Sequence, residues 1–196
     1  MFYFTSDLHF GDEGTVKFDM RPFKNSKKFD KFVIKTWNKQ AYKNDTIYVI
    51  GDFVDCDKNI HDDSWKRTLE YVKKVKANVV LILGNNEERV IKHYFDGDFN
   101  KFRSYCLTVG FKEVYENTIV HFSNRDFYLT HKPINANREM INLFGHMHRS
   151  GGLYKPFGIN IGCDLNHFRL FSEDDINFFL KLKEEYWDND KNLNMW

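Results

Sequence analysis

The sequence predicts an α/β fold, a layered β-sandwich of two mixed sheets flanked by helices. Three observations carry this expectation. Residues 2–110 alternate strand and helix patterns in the order β-α-β-α-β-α, the signature of a parallel sheet with covering helices. From residue 112 onward, short apolar runs follow one another with only turn residues between them, so a second, mostly antiparallel sheet is expected. Asp, His and Asn residues also gather at the ends of the runs, as they do where an open sheet builds a site at the carboxyl edge of its strands.

Residues 2–6 read as a first strand, and 10–25 as a long loop around Arg21-Pro22-Phe23. A helix is expected from Ser26 to Tyr42, because Phe29, Phe32, Val33, Thr36, Trp37 and Ala41 recur at steps of three and four; Asn25 or Ser26 can cap it. Thr46–Ile50 is a β-branched run that ends in Gly51-Asp52. After an acidic, irregular stretch over 53–63, a second helix covers 63–76, with Trp65, Leu69, Val72 and Val75 on one face. Asn78–Leu83 is continuously apolar, as a strand buried on both faces should be. Helical patterns over 87–95 and 99–109 end at Gly110. Strands are then expected over 112–116, 118–122, 126–130, 141–145, 151–155 and 158–163, with hairpin turns at Ser123-Asn124-Arg125 and Pro156-Phe157-Gly158. The last helix begins at Ser172, with Asp175 three residues on as an approximate capping box. Residues 1–187 read as one domain and 188–196 as a polar C-terminal tail.

Composition narrows the function classes. Of 196 residues, 29 are basic and 28 acidic, a formal net charge of +1. No global positive field is available to hold a nucleic-acid backbone. The three cysteines, Cys56, Cys106 and Cys163, are odd in number and far apart, so a disulfide framework and a zinc knuckle are both disfavoured. No signal peptide or membrane span is expected, and a reduced, cytoplasmic compartment fits best.

The strand-end residues carry the chemistry. They are Asp7 and His9, Asp52, Asn85 with Asn86 and Glu87, His131, and His146 with His148. A carboxylate such as Asp52 can bridge two cations, and neutral imidazoles favour transition metals over Mg²⁺ or Ca²⁺. Residues two apart in a strand point to one side, so Asp7 with His9, and His146 with His148, are expected to face one centre. Singly each cluster is weak. Together, in order and at strand ends, they make a metal site the favoured reading.

The pattern Asp-x-His, Gly-Asp, Gly-Asn, a lone His followed by Pro, and Gly-His-x-His is similar to the calcineurin-like metallophosphoesterases, over Asp7 to His148. The flanking Thr5–Gly11, Arg21-Pro22-Phe23, Trp37-Asn38 and Asn160-Ile161-Gly162 resemble a small bacterial and phage branch of that superfamily. The resemblance implies two divalent metal ions, manganese first, with iron, zinc, nickel or cobalt as alternatives. It assigns Asp7, His9, Asp52 and His148 to the first ion, and Asp52, Asn85, His131 and His146 to the second. A hydroxide bridging the ions would attack phosphorus in line. The implied partner is a small or nucleotide-like phosphate ester.

Two positions depart from the family pattern. Asp12 stands where the related branch often has Gly-His. Asn86 stands where the family has a histidine that contacts phosphate and protonates the leaving oxygen. Asn86 is expected to keep the substrate contact without the proton transfer, and general acid catalysis contributes about 10²–10⁴-fold. His61 is the first candidate for a replacement acid, with His93 and His167 behind it; for each, an ordinary histidine is the stronger reading. Arg21 and Lys132 could clamp phosphate, but a plain loop arginine and a solvated lysine are the stronger readings. Two rival functions remain: a metallophosphoesterase-fold scaffold with little or no turnover, and a nuclease, which the near-zero net charge disfavours.

Overall fold

The computed structural model describes residues 1–55 and 64–187, with side chains to Glu185. His61 and the tail 188–196 lie outside the described residues. The chain forms β1 (Phe2–Thr5), α1 (Glu13–Phe18), α2 (Ser26–Gln40), β2 (Thr46–Ile50), α3 (Ser64–Leu69), β3 (Asn78–Ile82), α4 (Asn85–Tyr94), α5 (Phe99–Val109) and β4 (Glu113–Tyr115). There follow β5 (Thr118–Phe122), β6 (Arg125–Leu129), β7 (Ile141–Phe144), β8 (Tyr154–Lys155), β9 (Gly158–Asn160), β10 (Phe171–Ser172) and α6 (Glu173–Leu182).

Two five-stranded sheets result, in the orders β10-β1-β2-β3-β4 and β5-β6-β7-β9-β8. In the first, β1, β2, β3 and β4 are parallel, as the βα alternation predicts, and β10 closes the edge antiparallel to β1. The second sheet corrects the expectation of mostly antiparallel pairing. Only β5–β6 and β8–β9 are antiparallel, whereas β6–β7 and β7–β9 are parallel. The connections β6 to β7 and β7 to β9 are crossovers, which deliver both strands to the same edge and so carry His131 and His146 there together.

Strand alternation explains the layers. Ile47, Val49, Val79 and Leu81 face a core built with Phe29, Val33 and Trp37 of α2, Trp65 and Leu69 of α3, Val90 of α4 and Phe102 of α5. The intervening Ile50, Val80 and Ile82 face the sandwich interior, against Phe122, Phe127, Leu129, Leu143 and Ile159 of the second sheet. Ile176 and Leu180 of α6 join that second core.

Local signals set the helix ends. Asn25 caps α2, its side chain accepting from the Lys28 N–H. Ser172 and Asp175 form the reciprocal capping box of α6. The stretch 10–25 is less irregular than expected, because Asp12 caps the short α1 within it.

Candidate metal centre

The loops leaving β1 and β2 run side by side beyond the strands. The Asp7 N–H donates to Gly51 O at 3.1 Å, His9 N–H to Asp52 O at 2.9 Å and Phe10 N–H to Phe53 O at 3.0 Å. The parallel pairing therefore continues past the strand ends and delivers Asp7, His9 and Asp52 to one place. Gly51 is required there: its φ is +83°, and a Cβ would run into the His131 ring and the backbone of Gly84.

Strand alternation does not place the paired ligands, as the spacing suggests. β1 stops at Thr5, and Asp7 and His9 both have left-handed backbone, with φ of 59° and 51°. Asp52, His146 and His148 share that conformation, at 53°, 71° and 45°. Asp and His are among the residues that adopt it most readily, and such conformations collect at functional sites.

The seven predicted ligands come together. Asp52 Oδ1 accepts from the Asn86 N–H at 2.9 Å, which turns Oδ2 inward. Oδ2 lies 3.4 Å from His9 Nε2 and 3.5 Å from His131 Nε2. Asn85 Oδ1 stands 3.1 Å from His131 Nε2 and 2.9 Å from His146 Nδ1. Both oxygens of Asp7 accept from the His146 N–H, at 2.9 and 3.0 Å. His148 Nε2 is 3.8 Å from Asp7 Oδ1, and its ring stacks on His9 with centroids 5.0 Å apart.

This donor set fits metal ions. His9 Nε2 is buried and has no hydrogen-bond partner, a costly state for a polar atom. Its 3.4 Å gap to Asp52 is too long for a good hydrogen bond. It matches two donors about 2.1 Å from a shared tetrahedral cation. Asp7, His9 and His148 offer donor atoms within 4.8 Å of one another, and so do Asp7, Asp52 and His131. The second trio crosses the partition the resemblance implies, because Asp7 lies close to both halves.

Charge reinforces the fit. Burial acts to raise the Asp52 pKa, but the neighbouring imidazoles of His131 and His9 and the Asn86 N–H hold it below the usual carboxylate range. Burial likewise acts to lower His131, yet Asp52 and Asp7 carry it up to about 9. Burial prevails at His9, whose pKa is lowered. The carboxylates thus favour a proton on His131, and a metal ion bound there must displace it.

Glu87 and Asp19 hold this arrangement. The Glu87 carboxylate accepts from the backbone N–H groups of Gly84, Asp52, Phe53 and Val54 at 2.8–3.2 Å, fastening the Asp52 loop to the first turn of α4. Burial and the neighbouring Asp52 push its pKa up to about 7. Asp19 Oδ2 accepts from His148 Nδ1 at 2.6 Å.

With this geometry goes a sequence match: the profile of the calcineurin-like phosphoesterases fits residues 1–194. The chain belongs to that family. It is therefore a metal-dependent phosphoester hydrolase, and the resemblance read from the strand-end motifs holds. The phosphoesterase is 27% identical over 168 residues to the uncharacterized protein MJ1445 of Methanocaldococcus jannaschii, covering 81% of this chain and 87% of that one. Its fold is similar to a solved structure, the protein of unknown function AQ665 from Aquifex aeolicus. The TM-score is 0.66 at 23% identity, covering 91% of this chain and 98% of the other. A looser likeness, with a TM-score of 0.45 at 15% identity, is to an archaeal phosphodiesterase, over 82% and 81% of the two chains.

Three residues considered as substrate contacts are engaged within the protein. The Asn86 side chain turns inward. It is buried, its Nδ2 lies 3.0 Å from His9 Nδ1 and donates to Val54 O at 3.1 Å, and its Oδ1 accepts from Arg89 at 2.7 Å. Arg21 is no phosphate clamp. Its side chain has no exposure, and its donors are spent on Asp164, Leu8 O and Asp7 O. Lys132 is not a free cation but pairs with Glu88. Among the described residues, no helix is long and apolar enough to cross a membrane.

A cavity of about 280 Å³ opens beside His131. Glu88, Glu116, Asn117, Lys132 and Asn135 line it. Lys132 and Asn135 come from the loop that follows β6, and Glu116 and Asn117 from the β4–β5 turn, which no motif marked.

Proposed function

We propose that this phosphoesterase hydrolyses small or nucleotide-like phosphodiesters or phosphomonoesters at a centre of two divalent transition-metal ions, manganese first. The observation that carries the reading is Asp52 Oδ2, nearly equidistant from His9 Nε2 and His131 Nε2, with the former buried and unpartnered. In this reading Asp7, His9, Asp52 and His148 hold one ion, and Asp52, Asn85, His131 and His146 the other. When bound, the ions supply Lewis acidity to phosphoryl oxygens and bring the pKa of a water from 15.7 to about 7.

The protein's own groups set the rest. Asp7 and Asp52 are the only carboxylates in the set, so a centre with two dications keeps net positive charge for an anionic ester. Asn85 adds an oxygen donor without adding charge. Asn86 is committed to His9, Val54 and Arg89, and an amide transfers no proton at neutral pH. The leaving group therefore departs without an acid from this position, and esters of acidic alcohols are the preferred substrates. The polar cavity beside His131 takes the leaving group, and its lining suits hydroxyl and amide partners better than a bare hydrocarbon.

The test combines metal analysis with two ester series. The manganese-loaded protein should hydrolyse bis-p-nitrophenyl phosphate far faster than an alkyl diester, with a steep dependence of rate on leaving-group pKa. A flat dependence would overturn the missing-acid reading. Retention of both metals by Asp52→Ala would overturn the bridging role of that residue.

A further inference from the structure

We propose that Asp19 is the positioning residue of His148: it fixes the imidazole in the tautomer that leaves Nε2 free for a metal ion beside Asp7. The inference rests on the two-metal reading above. It starts from the Nδ1 atoms of the four histidines. His131 Nδ1 meets the backbone carbonyl of Ile50 at 2.8 Å, and His146 Nδ1 meets Asn85 Oδ1 at 2.9 Å. His9 Nδ1 meets the Asn86 amide at 3.0 Å. Of these four, only the His148 Nδ1 meets a carboxylate, Asp19 Oδ2, and at 2.6 Å this is the shortest of the four contacts.

Asp19 is held for this task. It ends α1, where its N–H donates to Thr15 O at 3.0 Å, and it is 5% exposed. Arg21 Nη2 lies 3.7 Å from Asp19 Oδ2 and 2.8 Å from Asp164 Oδ2, while the same guanidinium donates to Asp7 O and Leu8 O. The carboxylate that orients His148 is thus tied, through one buried arginine, to the backbone that carries Asp7. Asp19, His148 and Asp164 also lie close enough together to suggest a further cation site, but Arg21 already supplies the positive charge there. A carboxylate on Nδ1–H fixes the ring and raises the basicity of Nε2, and loss of such a partner typically costs 10–100-fold in metal affinity.

The experiment is a stepwise Zn²⁺ titration of the metal-free full chain by calorimetry, with Asp19→Asn, His148→Ala and the double variant. Asp19→Asn should weaken one of two steps 10–100-fold, the same step that His148→Ala weakens. Adding Asp19→Asn to His148→Ala should cost nothing more. Unchanged steps, equal weakening of both, or a further loss in the double variant would each overturn the proposal. A wild-type protein that takes fewer than two ions overturns the two-metal reading instead, whatever the variants do. Should Asp19→Asn not fold, the zinc-loaded wild type decides by NMR: a hydrogen-bonded Nδ1–H on His148 supports the assignment, and a proton on Nε2 with bare Nδ1 overturns it.

Discussion

The two sheets present their sides of the metal centre differently. The first sheet supplies a buried floor: Asp7 is 0% exposed, Asp52 2%, His9 8% and Glu87 0%. Its loops are zipped together by backbone hydrogen bonds and clamped by Glu87. The second sheet supplies His131 from a buried position, but His146 is exposed and the His148 side chain is 20% exposed. These two are oriented by side chains, Asn85 and Asp19, rather than by a backbone ladder. The difference teaches that half of the centre is built by folding itself, and half is finished by side-chain contacts that a metal can reinforce.

The strongest way to break this comparison is Glu87→Ala. It strands four buried N–H groups, each worth about 1–3 kcal/mol when unsatisfied. Urea unfolding of the metal-free protein should show a loss of about 4 kcal/mol or more; a loss near 1 kcal/mol would mean that the floor does not depend on the clamp. Metal removal comes next. Metals at 100 times their Kd stabilise by about 2.7 kcal/mol, so chelation should lower Tm while the near-ultraviolet dichroism stays native. Collapse of that signal would show that the floor is not preformed.

Asp30 on α2 supports the floor from outside, accepting from the Gly11 N–H at 3.3 Å. Burial raises its pKa from 3.8 to about 6, against the pull of hydrogen bonds from Gly11 and Tyr71. A carboxyl whose folded pKa is raised binds more protons in the native state, so stability falls as pH rises from about 4 to 6 and stays lowered above that. Asp30→Asn should therefore stabilise the protein by about 3 kcal/mol at pH 8 and remove this pH dependence. Equal stabilisation at pH 3 would assign the effect to something other than ionisation.

Asn86 is the subtlest probe. If it serves His9, Asn86→Ala should weaken metal binding about tenfold and leave the leaving-group dependence of hydrolysis unchanged. The opposite outcome would place the amide in the reaction.

Much of this was legible in the sequence because it is written in local patterns. Short apolar runs locate β1, β2 and β3, and Gly-Asp, Gly-Asn and Gly-His-x-His mark the chain where it leaves a sheet. The two-residue β10 and six-residue α1 leave too short a pattern to read. The parallel pairings of the second sheet were hidden because short strands look alike in either direction. The service residues were hidden for another reason. Asp19 lies 129 positions from His148, and an acid that orients a histidine looks like any surface acid until the chain is folded. Asn86 shows the limit of transferring a role by position. The substitution is visible, but the smaller side chain turns inward to His9, and no motif announces that.

The left-handed backbone at Asp7, His9, Asp52, His146 and His148 acts as a filter on mutation. β-Branched residues are disfavoured at these five positions whatever their chemistry, whereas Asp, Asn, His and Gly fit with little strain. Three of those four carry metal-binding side chains. Random change at the rim of this centre is thereby steered toward exchanging one ligand for another, so the fold itself biases the protein toward altered metal preference before outright loss of metal.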